Sequence, residues 1–251
     1  MALRIACDLD GTLADMDAAL QQEATRLFGS EVDLHAMPAA PVQSAEDVDT
    51  ALAVGAVDAT AGEAETDRVE AAATSEGRRP LTRGELRTLW AHVRQTENFW
   101  AALHEIEPGA VRQLADAANR HRWEVLFLTQ RPPCAGATAQ VQSQRWLHAN
   151  GFEWPSVFVM SGSRGKVADA LALDVVLDDR PENCLDVATD SKAKPILIWR
   201  PRRELLPPGV ARTAIETVHS MAEALERLEA LMVERTRKRT LVERLRGAIG
   251  I

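Results

Sequence analysis

Tyrosine is absent from this chain, and aromatic residues make up only 4% of its 251 positions. No phenol is available as an acid or a nucleophile. Cysteine is scarce as well. The three cysteines, Cys7, Cys134 and Cys184, are odd in number and match no common zinc spacing, which argues against a disulfide framework or a structural zinc site. Reduced thiols in a cytoplasm are the expectation, with Cys7 as a small core residue. Lysine does not occur before Lys166. No apolar run approaches the length of a membrane span, and the first strand-like run starts too early to leave room for a signal peptide. A cytoplasmic protein with no membrane partner is expected. The formal net charge of −8 excludes a nonspecific binder of nucleic-acid polymers or anionic lipid. An anionic small molecule would have to be drawn in by a local positive site and a metal.

What is present is enough apolar residue, 46%, for one large domain or a core plus a smaller one. The chemistry starts early. The apolar run Leu3-Arg4-Ile5-Ala6-Cys7 ends in Asp8-Leu9-Asp10-Gly11-Thr12. A short buried strand ending in two carboxylates and a glycine puts acid groups at the rim of a sheet, where open α/β sheets bind ligands. Three further strand-like runs end in chemistry-bearing residues. Glu124–Leu128 leads into Thr129-Gln130-Arg131-Pro132, Val157–Met160 precedes Ser161 to Lys166, and Val175–Leu177 ends in Asp178-Asp179-Arg180-Pro181-Glu182-Asn183. Singly, each reads as a turn or a solvated cap. In this order, at four strand ends, they read as one site.

Between these runs lie helical patterns, and the alternation predicts a Rossmann-like, doubly wound parallel sheet with a helical cap inserted after the first strand. Residues 13–29 and 81–105 read as helical, the second opened by Thr82 and Glu85 in capping-box spacing. Residues 36–80 are Ala-rich and acidic and are punctuated by proline and glycine; both a mobile excursion and Ala-rich cap helices fit them. Residues 111–121, 138–150 and 167–173 read as further helices, and Pro181 suits the first turn of another. Pro195–Trp199 reads as a fifth strand. Residues 219–246 form a long helical stretch with an apolar stripe at Met221, Leu225, Leu228 and Met232, which fits packing on the core of a monomer or a homodimer interface. The boundaries drawn are a core of 1–13 and 106–215, a cap of 14–105 containing the 36–80 insertion, and a C-terminal helical extension of 216–251. No internal repeat is evident.

The succession of acidic pair, hydroxyl, lysine and acidic pair resembles the haloacid dehalogenase (HAD) superfamily of aspartate-nucleophile phosphatases, over residues 1–20 and about 95–200. A carboxylate is ionised at neutral pH without an activating base, so Asp8 is the candidate nucleophile and Asp10 the candidate general acid and base. Two such carboxylates stay charged together only around a cation, and Mg²⁺ prefers oxygen ligands. The resemblance implies Asp8, the Asp10 carbonyl and an acid of the Asp178-Asp179 pair as ligands, with Asp179 favoured for direct contact and Asp178 for an indirect role. It also implies that Thr129 and Gln130 hold phosphate and that Lys166 neutralises the nucleophile and the phosphoryl group. Dehalogenating relatives lack an acid at the place of Asp10, and phosphonate hydrolases need a lysine from the cap, which is missing here. Phosphoryl chemistry is therefore the expectation within the superfamily.

Two strings narrow the resemblance. Asn98 to Ala110 and Asp178 to Asn183 are similar to segments of the 5'-nucleotidases that act on deoxynucleoside monophosphates, the 5'(3')-deoxyribonucleotidase-like family. That resemblance implies a nucleoside 5'-monophosphate as substrate, with cap aromatics such as Phe99 or Trp100 stacking on the base. The loop Thr129-Gln130-Arg131-Pro132-Pro133 departs from that family's pattern, and Arg131 there fits either a contact to a second anionic or base group or a surface ion pair. Sugar or other metabolite phosphates are the alternative substrates. A phosphate-binding scaffold without turnover is the alternative of another class, and Asp10 and Lys166 weigh against it.

Overall fold

The computed structural model describes residues 2–34, 78–201, 205–211, 213 and 215–249. The Ala-rich stretch at 36–80 lies outside the described residues except for its last three. The chain divides into two compact units. One comprises 1–14, 105–129 and 143–251; the other comprises 15–104 and 130–142.

The first unit is built on six parallel strands: β1 (Arg4–Asp8), β4 (Glu124–Thr129), β5 (Ser156–Val159), β6 (Val175–Asp178), β7 (Lys194–Ile198) and β8 (Glu216–Val218). β2 (Val32–Asp33) and β3 (Arg79–Pro80) belong to the other unit. The order across the sheet is β5-β4-β1-β6-β7-β8. The chain therefore builds outward from β1 on one side through β4 and β5, then returns to build the other side. β1 sits at this reversal, between β4 and β6, which is where open α/β sheets bind ligands. Ile5, Ala6 and Cys7 are fully buried, as a central parallel strand covered on both faces requires. Register aligns the chemistry-bearing ends: Asp8 lies opposite Leu128, one residue before Thr129, and Cys7 lies opposite Leu177, one residue before Asp178.

The helices of this unit are α3 (Ala110–His121), α5 (Arg164–Ala170), α6 (Pro181–Asp190), the short α7 (Pro208–Ala211) and α8 (Met221–Ile249). α4 (Ala139–Ala149) starts in the other unit's range and ends in this one. Ala6, Leu128, Val176, Ala168, Leu173 and Val187 form one core cluster joining sheet and helices. Leu197, Cys184, Val210 and Ile215 form a second. Burial pushes the thiols of Cys7 and Cys184 well up, so both are inert packing groups.

Two of the differences from the expected element boundaries have a clear cause. β8, within the stretch taken as the start of a helical extension, is a strand too short for a periodic signal. α5 starts at Arg164, three residues before the expected helix, because the Ser163 side chain accepts from the Lys166 N–H and caps it.

The second unit holds α1 (Met16–Phe28), the two-stranded parallel pair β2 (Val32–Asp33) and β3 (Arg79–Pro80), α2 (Arg83–Gln95) and a 3-10 turn (Phe99–Ala101). Ala24, Val32 and Leu89 form its core, with Leu27, Phe28 and Leu86 packed around them. The capping box at α2 is present in full: Glu85 N–H donates to the Thr82 hydroxyl, and Thr82 N–H donates to the Glu85 carboxylate. Cys134 sits here with its thiol engaged by the Gln142 side chain.

Two helical glycines have opposite surroundings. A Cβ on Gly165 would lie 2.7 Å from Asp190 Cβ and closer still to the Asp186 carbonyl of α6, whereas one on Gly84 would meet nothing nearer than 4.0 Å. Gly165→Ala is therefore expected to destabilise by about 1–3 kcal/mol through overpacking. Gly84→Ala should stabilise by up to about 1 kcal/mol through helix propensity. Urea unfolding of the two variants, with opposite shifts in midpoint, is the check.

Candidate active site

The carboxyl ends of β1, β4 and β6 bring five of the expected residues to one edge of the first unit. Asp8 ends β1 and is 4% exposed; Asp178 ends β6 and is fully buried, as is Thr129 at the end of β4. After β1 the chain turns sharply, with Leu13 and Ala14 N–H both donating to the Leu9 carbonyl. Gly11 makes the turn possible at φ +84°, and a side chain there would collide with the Asp179 carboxylate, whose Cγ would lie 2.7 Å from a Cβ. The turn presents Asp10 to the Thr129 hydroxyl, which donates to its Oδ2 at 3.0 Å. It also presents Thr12, whose hydroxyl donates to Asp179 Oδ1 at 3.0 Å.

The two neighbouring acids after β6 differ in kind. Asp178 accepts from Arg180 N–H at 2.9 Å and from Asn183 Nδ2 at 3.0 and 3.1 Å, and its Oδ2 lies 3.0 Å from Arg164 Nε. It is a saturated internal anchor. Asp179 is only partly buried and faces the turn at Gly11 and Thr12.

Arg164 is the cation of this site. It is 3% exposed, and its guanidinium pairs with Asp8 Oδ1 through Nη2 and with Asp178 through Nε. A buried charge is tolerated only when paired. The two carboxylates meet that condition and hold the arginine's pKa above its ordinary value despite burial. Nη1 is buried with no hydrogen-bond partner. The first turn of α5 holds Arg164 in place: Asp186 accepts from the Ser163 hydroxyl at 2.9 Å and from the Gly165 N–H at 2.8 Å.

Here the structure departs from the sequence reading. Lys166 is exposed on the outer side of the same turn; Arg164, two residues earlier, meets Asp8 instead. The run Ser-Gly-Ser-Arg-Gly-Lys offers two cations, and the discriminating signal was Ser163, whose cap sets the helix phase and turns position 164 inward. Thr129, expected to hold phosphate, donates to Asp10. Gln130, Arg131, Phe99 and Trp100 belong to the other unit. There Phe99 and Trp100 are buried and pack edge to face, 5.0 Å between centroids. Trp100 Nε1 donates to the Pro132 carbonyl at 2.9 Å, and the buried Arg131 guanidinium lies 5.3 Å from the indole centroid. All three are packing partners, so none offers an open aromatic face for a base. Gln130 is partly buried.

No family model matches the chain, and no curated protein matches it. Among solved structures, a haloacid dehalogenase-like family hydrolase from Xanthomonas campestris aligns over 94% of this chain and 98% of its own length, with a TM-score of 0.51 and 12% identity. A HAD family hydrolase from Deinococcus radiodurans R1, solved with bound phosphate and sodium, aligns over 91% and 96%, with a TM-score of 0.50 and 15% identity. The fold is that of the HAD-like hydrolases. At such identities the likeness is one of architecture, and the chemistry of this chain has to be read from its own side chains. Among the described residues no helix is long and apolar enough to cross a membrane, and no three His, Cys, Asp or Glu side chains are grouped to hold a metal.

Electrostatically the site is overloaded with negative charge. Burial above all, and then Asp178, Asp179 and Asp10, raise the Asp8 pKa well above the ordinary carboxyl value, against the lowering effect of Arg164. A carboxyl whose folded pKa is raised contributes stability fully below its unfolded value, about 3.9, and that contribution is lost as pH rises through the folded value. Without added metal the protein should therefore lose stability as pH rises from about 4 toward neutrality, and Asp8→Asn, which also leaves Arg164 with a single carboxylate, should flatten that dependence. Urea midpoints measured in chelator across that range test the sign.

Proposed function

We propose that the chain is a phosphomonoester hydrolase that passes through an aspartyl-phosphate on Asp8. The observation that supports this best is the placement of Asp8 at the end of β1, paired with Arg164, with a second acid two residues on held by Thr129. Asp8 attacks phosphorus, and the bond to the leaving oxygen breaks as Asp10 delivers its proton. Asp10 then takes a proton from water, which attacks the aspartyl-phosphate and frees Asp8 and inorganic phosphate. The hydroxyl of Thr129 on Asp10 Oδ2 fixes that carboxyl for the proton transfer. Arg164 shields the nucleophile and, through Nη1, offers a donor to a phosphoryl oxygen, the charge complementarity on which phosphoryl transfer depends.

The donor set suits Mg²⁺. Asp8, Asp179 and the Asp10 carbonyl are hard oxygen donors, and Mg²⁺ fills its remaining positions with water. Asp178 is already saturated by protein donors, which supports Asp179 as the direct ligand. The excess of carboxylates around Asp8 is the imbalance a divalent cation offsets. When bound, Mg²⁺ supplies charge neutralisation at the phosphoryl oxygens.

The substrate proposed first is a nucleoside 5'-monophosphate, on the resemblance of Asn98–Ala110 and Asp178–Asn183. The burial of Phe99 and Trp100 favours a second reading, a small sugar or metabolite phosphate that needs no stacking surface. A hydrolysis screen of both classes, with and without Mg²⁺, decides between them. Asp8→Asn should lose at least ~10³-fold in kcat, as removal of a covalent nucleophile does. Arg164→Ala should lose ~10²-fold or more, while Lys166→Ala stays within about threefold, as for a peripheral charge. Full activity in Asp8→Asn, or equal losses at Arg164 and Lys166, would refute the assignment.

A further inference from the structure

We infer that Arg200, braced by Glu107, is a positioning residue for Asp10. Arg200 lies two residues beyond β7 and reaches the turn that follows β1. Its Nη1 donates to the Gly11 carbonyl at 2.7 Å and its Nη2 to the Thr12 carbonyl at 2.9 Å. Glu107 Oε1 accepts from the same guanidinium at 2.7 Å (Nη2) and 3.2 Å (Nε). Glu107 is fixed in turn by the first residue of α8, whose Met221 N–H donates to Oε2 at 3.0 Å and Oε1 at 3.2 Å. The guanidinium fork thus grips two successive carbonyls, a geometry a single ammonium cannot reproduce.

The gripped turn carries the groups that matter. Leu9 O already accepts from Leu13 and Ala14, and Arg200 supplies donors to two later carbonyls of the turn, at Gly11 and Thr12. Asp10 precedes them and Thr12 sets Asp179. Displacement of a reacting group by about 1 Å can cost ~10²-fold in rate. A turn loosened at Gly11 and Thr12 would misplace Asp10 more than Asp8, because Asp8 is anchored in the sheet and by Arg164.

The role assigned at Asp10 rests on the hydrolase reading; the grip on the turn does not. Arg200→Ala should speed hydrogen exchange at the Leu13 and Ala14 amides by at least tenfold while β1 and β4 amides keep their protection. With Mg²⁺ present, kcat on an alkyl phosphate, whose alkoxide needs a proton from Asp10, should fall ~10- to 100-fold. On p-nitrophenyl phosphate, whose leaving group departs unprotonated, the step that forms the aspartyl-phosphate should change less than about threefold by pre-steady-state burst. Arg200→Lys should recover only part of the alkyl-phosphate rate. Unchanged exchange at the turn overturns the inference, as do equal losses on both esters. If the parent protein hydrolyses neither ester, the hydrolase reading falls while exchange still decides the grip. Should Arg200→Ala not fold, Arg200→Lys and Glu107→Gln carry the same two measurements.

Discussion

A guanidinium sealed beneath the edge of a parallel sheet is the constraint from which the rest of the site follows. Removing an arginine from water is costly, and only close, oriented carboxylates offset it. Arg164 has two, Asp8 and Asp178, which come from the ends of the neighbouring strands β1 and β6. The pair therefore ties the tips of those strands together through a third element, the first turn of α5. That turn has its own requirements. Ser163 must cap it, Asp186 must hold it, and Gly165 must let it lie against α6. Each looks like local helix chemistry, yet together they aim one side chain.

The same constraint sorts the acids. Successive residues leaving a strand point to opposite sides, so Asp178 and Asp179 cannot share a task. The one turned inward is taken up by Arg164, Asn183 and the backbone of Arg180. The one turned outward remains partly exposed, over the turn at Gly11. Asp8 is nearly buried and surrounded by like charge, whereas Asp10 sits less buried with a hydroxyl donor. Similar carboxyl groups thus acquire different environments from placement alone, the kind of sorting that lets one residue type take different roles within one site.

Much of this was legible in the residues. The strands announce themselves as apolar runs closed by polar groups, because a central parallel strand is buried on both faces. The Asp-x-Asp-Gly-Thr string carries its own geometry, since the glycine is required by the positive φ and by the carboxylate against it. What escaped was decided by phase and by long-range packing. A helix beginning at 164 rather than 167 changes which cation faces inward, and a three-residue strand such as β8 has no periodicity to detect. Phe99 and Trp100 could be seen as aromatics near a functional string, but not that Arg131 and Pro132 would enclose the indole. Arg200 and Glu107 lie 93 positions apart, and neither stands in a motif; only the folded chain brings them to one turn.

A site of this kind sits in tension with the fold that holds it. Four carboxylates converge where one buried guanidinium pairs with two of them, and burial and like charge raise the Asp8 pKa. A sequence optimised for stability alone would replace part of that charge with apolar side chains, since buried ion pairs seldom outperform good packing. On the hydrolase reading proposed above, that charge is preparation for a ligand of the opposite balance: a divalent cation to join the acids and a phosphoryl group to meet Nη1 of Arg164. The surrounding elements then have to be rigid enough to keep mutually repelling groups in place, and here that rigidity comes from neighbouring backbone carbonyls, caps and a second arginine rather than from the acids themselves. Stability is spent at the rim of β1 and recovered in the sheet behind it, where Ile5, Ala6 and Cys7 are fully enclosed.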